Sequence, residues 1–363
     1  MKRAFSITAI LILSFTAGNS QDITFNRNNS IITEEIGNSL FKQDKNWRGA
    51  DGAATIDLEN GNILWLFSDT FIDIYGTGNR QGSRMINNSI AIQSGNDIET
   101  AITRFYYGGT SLKPQSFFRI PGKNWLWTGH GAIADGKLII FLFEEKRVEG
   151  GMGFEAVGWH VAVITNPFDN PSEWKIKYYK GPSTFGIIIG SSAVLKNGNY
   201  LYVYGVREPG NHDVFLHRFE LSKVAAGNLS GIEWWTRKGW VKDPQGIPES
   251  AVLFAGQTEF SVTLDKGLEK YIQVQTYGFG KAAIGYRTAP ELWGPWSDPV
   301  LFFIPTLNDP QEFSYTARAH PELLSGGVLV TYNINNFDFG KLLMNEDIYF
   351  PKIIKLVLKA PIY

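Results

Sequence analysis

The chain has 363 residues, of which 44% are hydrophobic and 14% aromatic, and its formal net charge is -1 at pH 7. This charge, without any cluster of lysine and arginine, argues against binding to nucleic acid or to a membrane surface. The sequence contains no cysteine, which excludes disulfide bonds and thiolate metal sites.

The first twenty residues have the pattern of a secretory signal peptide. Two basic residues precede an apolar run over residues 4–17, and a Gly-Asn-Ser sequence then resembles a cleavage region. The run is too short for a membrane-spanning helix. We therefore expect a signal peptide at residues 1–20, a single domain over residues 21–363, and a secreted or periplasmic protein without membrane insertion.

The rest of the chain is typical of an all-β protein, because short runs of Val, Ile, Tyr, Phe and Trp alternate with Gly, Asn, Asp and Pro. One hairpin unit recurs five times, with a small or polar start, a strand, a glycine turn and an apolar strand. Asn-Gly and Asp-Gly are strong hairpin signals because both turn residues need positive φ. The copies cover residues 49–71 (turn at Asn60-Gly61), 129–145 (Asp135-Gly136), 190–208 (Asn197-Gly198), 257–278 (around Gly267) and 318–335 (Ser325-Gly326).

Five antiparallel sheets around an axis form a five-bladed β-propeller, and each interval between turn glycines is long enough for one four-stranded sheet. A large β-sandwich is the alternative, but it does not require five similar hairpins. We therefore predict an all-β, five-bladed β-propeller.

In a propeller the first strand of each sheet lines the central channel, so the residues that start these strands converge on one mouth. Strand pairing brings the ends of the second strands to the same mouth. The starting residues are Asp51, His130, Ser191, Ser192, Glu259, Arg318 and His320, and the ends of the second strands include Asp69, Glu144, Glu145, Arg207, Glu208, Tyr277 and Asn333.

Asp51 and Glu259 are the principal candidates for catalysis. Each acid stands among small or apolar residues at a channel position, where burial of a charge is costly. The two acids would approach from the first and fourth sheets, as the two carboxylates of a glycosidase flank the bond that they cleave. We expect Asp51 to be the nucleophile or general base and Glu259 the general acid.

Asp69 is expected to assist this pair or to bind backbone groups at the corner of the hairpin. A strict two-residue turn pairs Asp51 with Thr70, so the two aspartates point to opposite faces unless a bulge intervenes. The surrounding cationic and aromatic residues are expected to hold a carboxylate ionised, to bind sugar hydroxyls or to stack on the sugar: Arg318, His320, His130, Trp47, Trp125, Trp127 and Tyr277.

Three stretches resemble a known family: GADGAATIDLENGNILWLFSDTF, ARAHPEL and YNINNFDFGKLLMNEDIYFPKIIKL. They are similar to the family called domain of unknown function 4185, whose characterised members are endo-D-arabinanases of glycoside hydrolase family 183. The resemblance covers residues 41–358 and implies a five-bladed propeller that cleaves α-D-arabinofuranosyl links. It places the family's motifs on Asp51-Gly52, Asp69-Thr70 and Glu259. The family's last motif often reads Tyr-Arg-Pro-Arg-Phe, whereas residues 349–353 here lack both arginines.

The sequence therefore predicts a monomeric, secreted glycoside hydrolase that cleaves a furanosidic polysaccharide within the chain, with α-D-arabinan as the expected substrate. No cofactor or metal is expected, since the motifs for phosphate loops, metalloprotease helices and nucleophile elbows are missing. Two alternatives stay open. One is a glycan-binding propeller without catalysis, and the other is a glycosidase of the same fold that acts on L-arabinan or a host glycan.

Overall fold

A computed structural model describes residues 31–358, apart from residues 151–152, 243–250, 254 and 324–326. The expected signal peptide and the predicted turn at Ser325-Gly326 lie outside the described residues. Strands dominate, and the all-β prediction is confirmed. None of the described helices is long and apolar enough to cross a membrane.

The described residues form 26 strands and two short α-helices. The strands are β1 (Ile31–Ile36), β2 (Trp47–Ala50), β3 (Ala54–Asp57), β4 (Asn62–Phe67), β5 (Thr70–Ile72), β6 (Arg84–Ile86), β7 (Ser89–Ser94), β8 (Ile102–Tyr106), β9 (Gly108–Thr110), β10 (Lys113–Gln115), β11 (Trp125–Ala134), β12 (Lys137–Arg147), β13 (Phe154–Ile164), β14 (Ile176–Lys180), β15 (Ile187–Asn197), β16 (Tyr200–Arg207), β17 (Val214–Glu220), β18 (Glu233–Thr236), β19 (Gly239–Val241), β20 (Ser261–Asp265), β21 (Lys270–Tyr277), β22 (Ala283–Ala289), β23 (Val300–Phe303), β24 (Glu312–His320), β25 (Val328–Asn336) and β26 (Lys352–Leu358). The helices are α1 (Leu221–Ala225) and α2 (Phe339–Met344).

Among the described residues, five antiparallel sheets have four or five strands each. In chain order their strand orders are β3-β4-β7-β8, β11-β12-β13-β14, β15-β16-β17-β18-β19, β20-β21-β22-β23 and β24-β25-β26-β1, and we call them sheets one to five. The first strands contact one another in a closed cycle, because β3 meets β11, β11 meets β15, β15 meets β20, β20 meets β24, and β24 meets β3. These inner strands therefore surround a common axis.

Local sequence explains the hairpins at the start of the sheets. The turns between β3 and β4 and between β11 and β12 place Gly61 at φ 83° and Gly136 at φ 70°. Asp135 also has positive φ, as the Asp-Gly signal requires. In sheet four the residue with positive φ is Glu269 rather than Gly267, because that turn is longer.

Apolar clusters fill the space between neighbouring sheets. One cluster joins sheets one and two, and others join sheets two and three, three and four, and four and five. A further cluster joins sheet five to sheet one and includes Trp65, Phe67, Leu329 and Ile353. Burial of these side chains contributes about 25 cal/mol for each Å² removed from water. The same kind of apolar contact therefore holds all five interfaces of the cycle.

The inner strands are interrupted where they pass the axis. The pairing register shifts between Thr128 and Gly131 in β11, between Ile189 and Val194 in β15, and between Tyr315 and Arg318 in β24. In sheet one the strand breaks entirely, since β2 and β3 are separated by residues 51–53. Such bulges turn side chains away from strict alternation between the two faces.

Candidate active site

The register of the first hairpin places Asp51 opposite Asp69, since Ala50 pairs with Thr70 and Ala54 pairs with Leu66. The backbone N–H of Asp51 donates to the Asp69 carbonyl at 3.3 Å, and the Ser68 N–H donates to the Asp51 carbonyl at 2.9 Å. Gly52 has φ 89°, which only glycine adopts easily. Because Asp57 pairs with Ile63, the turn is longer than a strict two-residue turn, and the expected pairing of Asp51 with Thr70 is wrong. The charge of Asp69 contributes to the raised pKa of Asp51.

Asp51 lies at the centre of the site. The hydroxyls of Tyr315 and Tyr349 donate to its Oδ2 at 2.9 and 3.3 Å. Its Oδ1 is buried and has no hydrogen-bond partner within the described part of the chain. Burial, followed by the nearby charges of Asp69 and Glu259, raises the pKa of Asp51 well above its ordinary value.

Asp69 is held by two donors from other segments. The indole Nε1 of Trp127 donates to Asp69 Oδ1 at 2.8 Å, and Asn87 Nδ2 donates to the same oxygen at 3.3 Å. Burial raises the pKa of Asp69 to about 6, against the opposing effect of these two hydrogen bonds. Asp69 is therefore a fixed carboxyl next to Asp51 that changes its charge in weakly acidic solution.

Glu259 reaches the same place from the segment before β20. A methyl group added at Gly52 would lie 3.4 Å from Glu259 Oε1, so this carboxyl touches the backbone beside Asp51. Arg318 Nη2 donates to Glu259 Oε1 at 3.4 Å. Burial raises the pKa of Glu259, and the charge and hydrogen bond of Arg318 oppose the rise.

Arg318 is 2% exposed and joins three inner strands. Its Nη1 donates to the carbonyls of Ser192 (2.6 Å) and Phe260 (3.2 Å), and its Nη2 donates to the Ser191 carbonyl at 3.0 Å. Backbone carbonyls and Glu259 therefore occupy both Nη atoms of this buried group, whereas its Nε has no hydrogen-bond partner among the described residues. The expected contact of Arg318 with sugar hydroxyls stays a prediction. The expectation that it supports an ionised carboxylate agrees with its contact to Glu259.

The two histidines lie behind Arg318 and away from the aspartates. His320 is fully buried between the hydroxyls of Thr55 (2.6 Å) and Thr331 (2.7 Å). His130 accepts from the Val194 N–H at 3.1 Å and contacts the Thr55 carbonyl at 2.9 Å. Burial, then the charge of Arg318, lowers the pKa of both rings to about 3, so they are neutral. His130 borders a cavity at the opposite ends of the inner strands, and the expected contact of both rings with sugar stays a prediction.

The aromatic candidates have different positions. Trp47 is 0% exposed, donates to Ser89 Oγ and packs in the core, so the expectation that it stacks on sugar is wrong. Trp127 is also buried and orients Asp69, whereas Trp125 is half-buried beside it. The hydroxyl of Tyr277 accepts from Arg287 Nε at 3.1 Å, and burial raises the pKa of Tyr277 to about 12.

Sequence reasoning placed Glu145 and Glu208 at this end but gave them no role. Glu145 is 2% exposed and its Oε2 has no partner among the described residues. Burial, then the charges of Glu208 and Asp69, raises the pKa of Glu145 to about 9. Glu208 Oε1 accepts from His212 Nδ1 at 2.7 Å and from the Thr258 hydroxyl. Strand pairing in the sequence was sufficient to place both acids at the mouth, but it gave no sign of the burial of Glu145.

Tyr315 and Tyr349 were missed. Tyr349 lies between α2 and β26, and no strand or turn signal links it to Asp51. It has φ 68°, and Thr316 next to Tyr315 has φ 56°. Such values are outliers for bulky or branched residues, and strained backbone of this kind concentrates at functional sites. The strained backbone therefore occurs at or next to Tyr349 and Tyr315, the two residues that donate to Asp51.

Four carboxyl groups with raised pKa values share this mouth, and the charges of neighbouring acids contribute to the raised pKa values of Asp51 and Glu145. Such a set can hold one proton while another member is ionised, as acid–base catalysis requires. Within the described ranges, no three histidine or acidic side chains are arranged to hold a metal ion.

Comparisons with solved structures place the chain in a fold shared with hydrolases. A putative hydrolase from Bacteroides ovatus has a TM-score of 0.73 at 18% identity, covering 91% of this chain and 92% of that one. An endo-arabinase from Bacteroides thetaiotaomicron gives 0.46 at 13% identity, with 88% and 97% covered. The α-L-arabinofuranosidase of Podospora anserina gives 0.45 at 12% identity, with 86% and 92% covered. The similarity to the Bacteroides ovatus structure shows that this chain shares its fold.

No protein among the curated sequences matches the chain. Residues 35–357 match the family described as Domain of unknown function (DUF5005). The predicted resemblance to domain of unknown function 4185 and glycoside hydrolase family 183 is therefore wrong. This match covers far more than half of the sequence, and the chain belongs to the family Domain of unknown function (DUF5005).

Proposed function

We propose that the protein is an exported glycoside hydrolase whose five sheets are the blades of a five-bladed β-propeller. One observation carries the proposal. Asp51 and Glu259 arrive from different sheets at one mouth, and burial raises the pKa of both carboxyls. A pair of carboxyls that holds one proton between its members is the requirement for cleaving a glycosidic bond.

The surroundings of the pair support Asp51 as its protonated member. Glu259 has a cation within hydrogen-bond distance, since Arg318 lies 3.4 Å from its Oε1. Asp51 has no cationic partner among the described residues, and its pKa is raised by two further acids. Both phenols donate to Oδ2, which leaves Oδ1 without a hydrogen-bond partner among the described residues and free to hold a proton. This distribution reverses the roles expected from the sequence.

In the proposed reaction Asp51 donates its proton to the oxygen of the leaving sugar while the glycosidic bond breaks. Glu259, held ionised by Arg318, supplies the electron pair as the base that activates water or as the nucleophile. Asp69 adds negative charge that helps to keep the pKa of Asp51 raised. The proton that Asp51 gives to the leaving sugar is replaced from water: by the attacking water itself if Glu259 is the nucleophile, or by solvent if Glu259 is the base that takes the proton of the attacking water. The substrate is a polysaccharide, and arabinan is the first to test.

The test is the release of reducing ends from arabinan, xylan and galactan by the purified protein. Wild type is expected to be active on one of them, and Asp51→Asn and Glu259→Gln are expected to lose at least about 10²-fold in kcat. Glu322→Gln is the matched control, because Glu322 lines the cavity at the opposite end of the inner strands. Binding without hydrolysis across the panel would instead favour a glycan-binding protein.

A second measurement separates the two roles. An aryl glycoside with a good leaving group needs no acid, so it should restore most of the rate of Asp51→Asn. Azide should restore the rate of Glu259→Ala by replacing the missing carboxylate. The reverse pattern of rescue would exchange the two roles and leave the hydrolase proposal intact.

A further inference from the structure

Sheets two and three leave a cavity of about 280 Å³ beside the carboxyl cluster. Its lining combines small residues of the loop after β14 with the apolar start of β15 and one acid of the mouth. The lining includes Lys180, Ser183, Thr184 and Glu208. Its volume is close to the lower end of the range for small-ligand sites, roughly 300–1,000 Å³.

Glu208 links the cavity to the mouth that holds Asp51 and Glu259. This acid lines the cavity and also accepts from the hydroxyl of Thr258, the residue next to Glu259. Its charge also raises the pKa of Glu145, which lies between Glu208 and Asp69 in the cluster. A chain bound across Asp51 and Glu259 could therefore extend into this space without leaving the protein surface.

An exposed aromatic ring stands at the rim. Phe185 is 66% exposed and lies between the lining residues Thr184 and Gly186. Its backbone has φ 57°, a strained value for a bulky residue. An exposed ring held in this way beside a polar cavity is suited to stacking on the C–H face of a sugar.

The charges around the cavity select against an anionic ligand. Lys180 is paired with Glu144 at 3.2 Å, and Glu144 also accepts from His160 and Asn124. The ion pair with Glu144 offsets this exposed cation, while Glu208 and Asp69 add negative groups on the side of the mouth. A ligand rich in hydroxyl groups and without carboxylate or sulfate suits this surface.

We propose that the cavity between sheets two and three is a subsite for one uncharged sugar unit of the polysaccharide, with Phe185 as its stacking surface. This inference rests on the proposed glycoside hydrolase activity. With this subsite the enzyme recognises a neutral oligosaccharide segment. Its kcat/KM increases once the oligosaccharide is long enough to reach the cavity.

The experiment compares kcat/KM for neutral arabino-, xylo- and galacto-oligosaccharides of two to six units. Wild type should show a rise of at least tenfold at the length that fills the subsite, and Ser183→Trp, which fills the cavity, should remove that rise. Phe185→Ala should raise KM about tenfold for the longer chains and leave kcat unchanged. Oligogalacturonides of the same lengths should be poor substrates.

The matched control is Thr263→Trp, which places the same side chain in the cavity of about 310 Å³ at the opposite ends of the inner strands. It should leave the dependence on chain length unchanged. A flat dependence in wild type, or a rise that Ser183→Trp does not alter, would overturn the subsite. Equal rates on oligogalacturonides would overturn the preference for neutral chains.

Direct binding separates this inference from the proposed function. If wild type hydrolyses nothing, the hydrolase proposal fails, and calorimetry with the same oligosaccharides then tests the cavity alone. Binding that Ser183→Trp abolishes and Thr263→Trp preserves would support a glycan site. Equal binding by all three proteins, or no binding by any, would refute it.

Discussion

Asp51 owes its properties to groups that are distant in the sequence. Its Oδ2 accepts from Tyr315 and Tyr349, which stand 264 and 298 residues further along the chain. The position of Asp51 at the start of a strand could be predicted, because hairpin signals are local. Its phenol partners could not, because they depend on how sheet five closes against sheet one. The unpartnered Oδ1 could not be predicted for the same reason.

Tyr315→Phe tests the contact with Asp51. The hydrogen bond from this phenol lowers the pKa of Asp51, so its removal should raise that pKa further. Because Asp51 is the proposed acid, the alkaline limb of the kcat/KM profile should move to higher pH. We expect kcat to fall about tenfold at neutral pH and the free energy of unfolding to fall by about 0.5–1.5 kcal/mol. An unchanged pH profile would show that Tyr315 acts only on packing.

Glu145→Gln tests the buried acid through stability. The pKa of Glu145 is about 9 in the folded protein and near 4.5 in the unfolded chain. Between these values the folded state retains a proton that unfolding releases, so stability falls as pH rises. Wild type should lose up to about 1.4 kcal/mol more per pH unit than Glu145→Gln between pH 5 and 8. Urea unfolding at several pH values measures this difference, and parallel curves would contradict it.

At the scale of the element, the inner strands show how a regular hairpin becomes a site. The turns could be predicted from the Asn-Gly and Asp-Gly pairs, but the interruptions of the strands near the axis could not be predicted from the sequence. Gly190 has φ 78°, and the register of β15 is lost from Ile189 to Val194. These breaks result from the crowding of five strands around one axis, which no local sequence signal predicts. They release Ser191 and Ser192 carbonyls for Arg318.

Gly190→Ala tests the crowding at the axis. Its new methyl group would lie 2.4 Å from Phe141 Cβ, in a backbone conformation that already disfavours a side chain. We expect the free energy of unfolding to fall by about 2–4 kcal/mol. Gly198→Ala is the matched control, because Gly198 also has positive φ but nothing lies within 4 Å of the added group. It should cost about 1 kcal/mol, and equal losses in the two variants would exclude crowding as the cause.

At the scale of the whole molecule, apolar interfaces between successive sheets and one buried guanidinium hold the cycle together. The repeated hairpins were sufficient to predict an all-β chain, since strand and turn patterns are local. The family was predicted wrongly because strands that start with a polar residue and continue with apolar residues reflect the geometry of the fold. Such a pattern does not distinguish one family of this fold from another. The pairing of β1 with β26 was also not predicted, since neither strand has a hairpin partner beside it in sequence.

Arg318→Met tests the central cross-link. It removes donors from the carbonyls of Ser191, Ser192 and Phe260 and the cation beside Glu259. The free energy of unfolding should fall by about 3–5 kcal/mol, because buried partners lose their donor. Without the cation the pKa of Glu259 should rise, so the acidic limb of the kcat/KM profile should move to higher pH. Arg104→Met, on the exposed face of β8, is the control and should change neither measurement.

The pairing of β1 with β26 gives the protein a built-in order of assembly. The first strand of the described chain pairs with the last one. During synthesis from the N-terminus, β1 therefore has no partner strand until residues 352–358 have been made. Bringing such distant segments together is entropically costly and slow. A truncated product therefore retains an unpaired strand edge, which chaperones and proteases can recognise. The pairing of β1 with β26 thus distinguishes complete chains from incomplete ones.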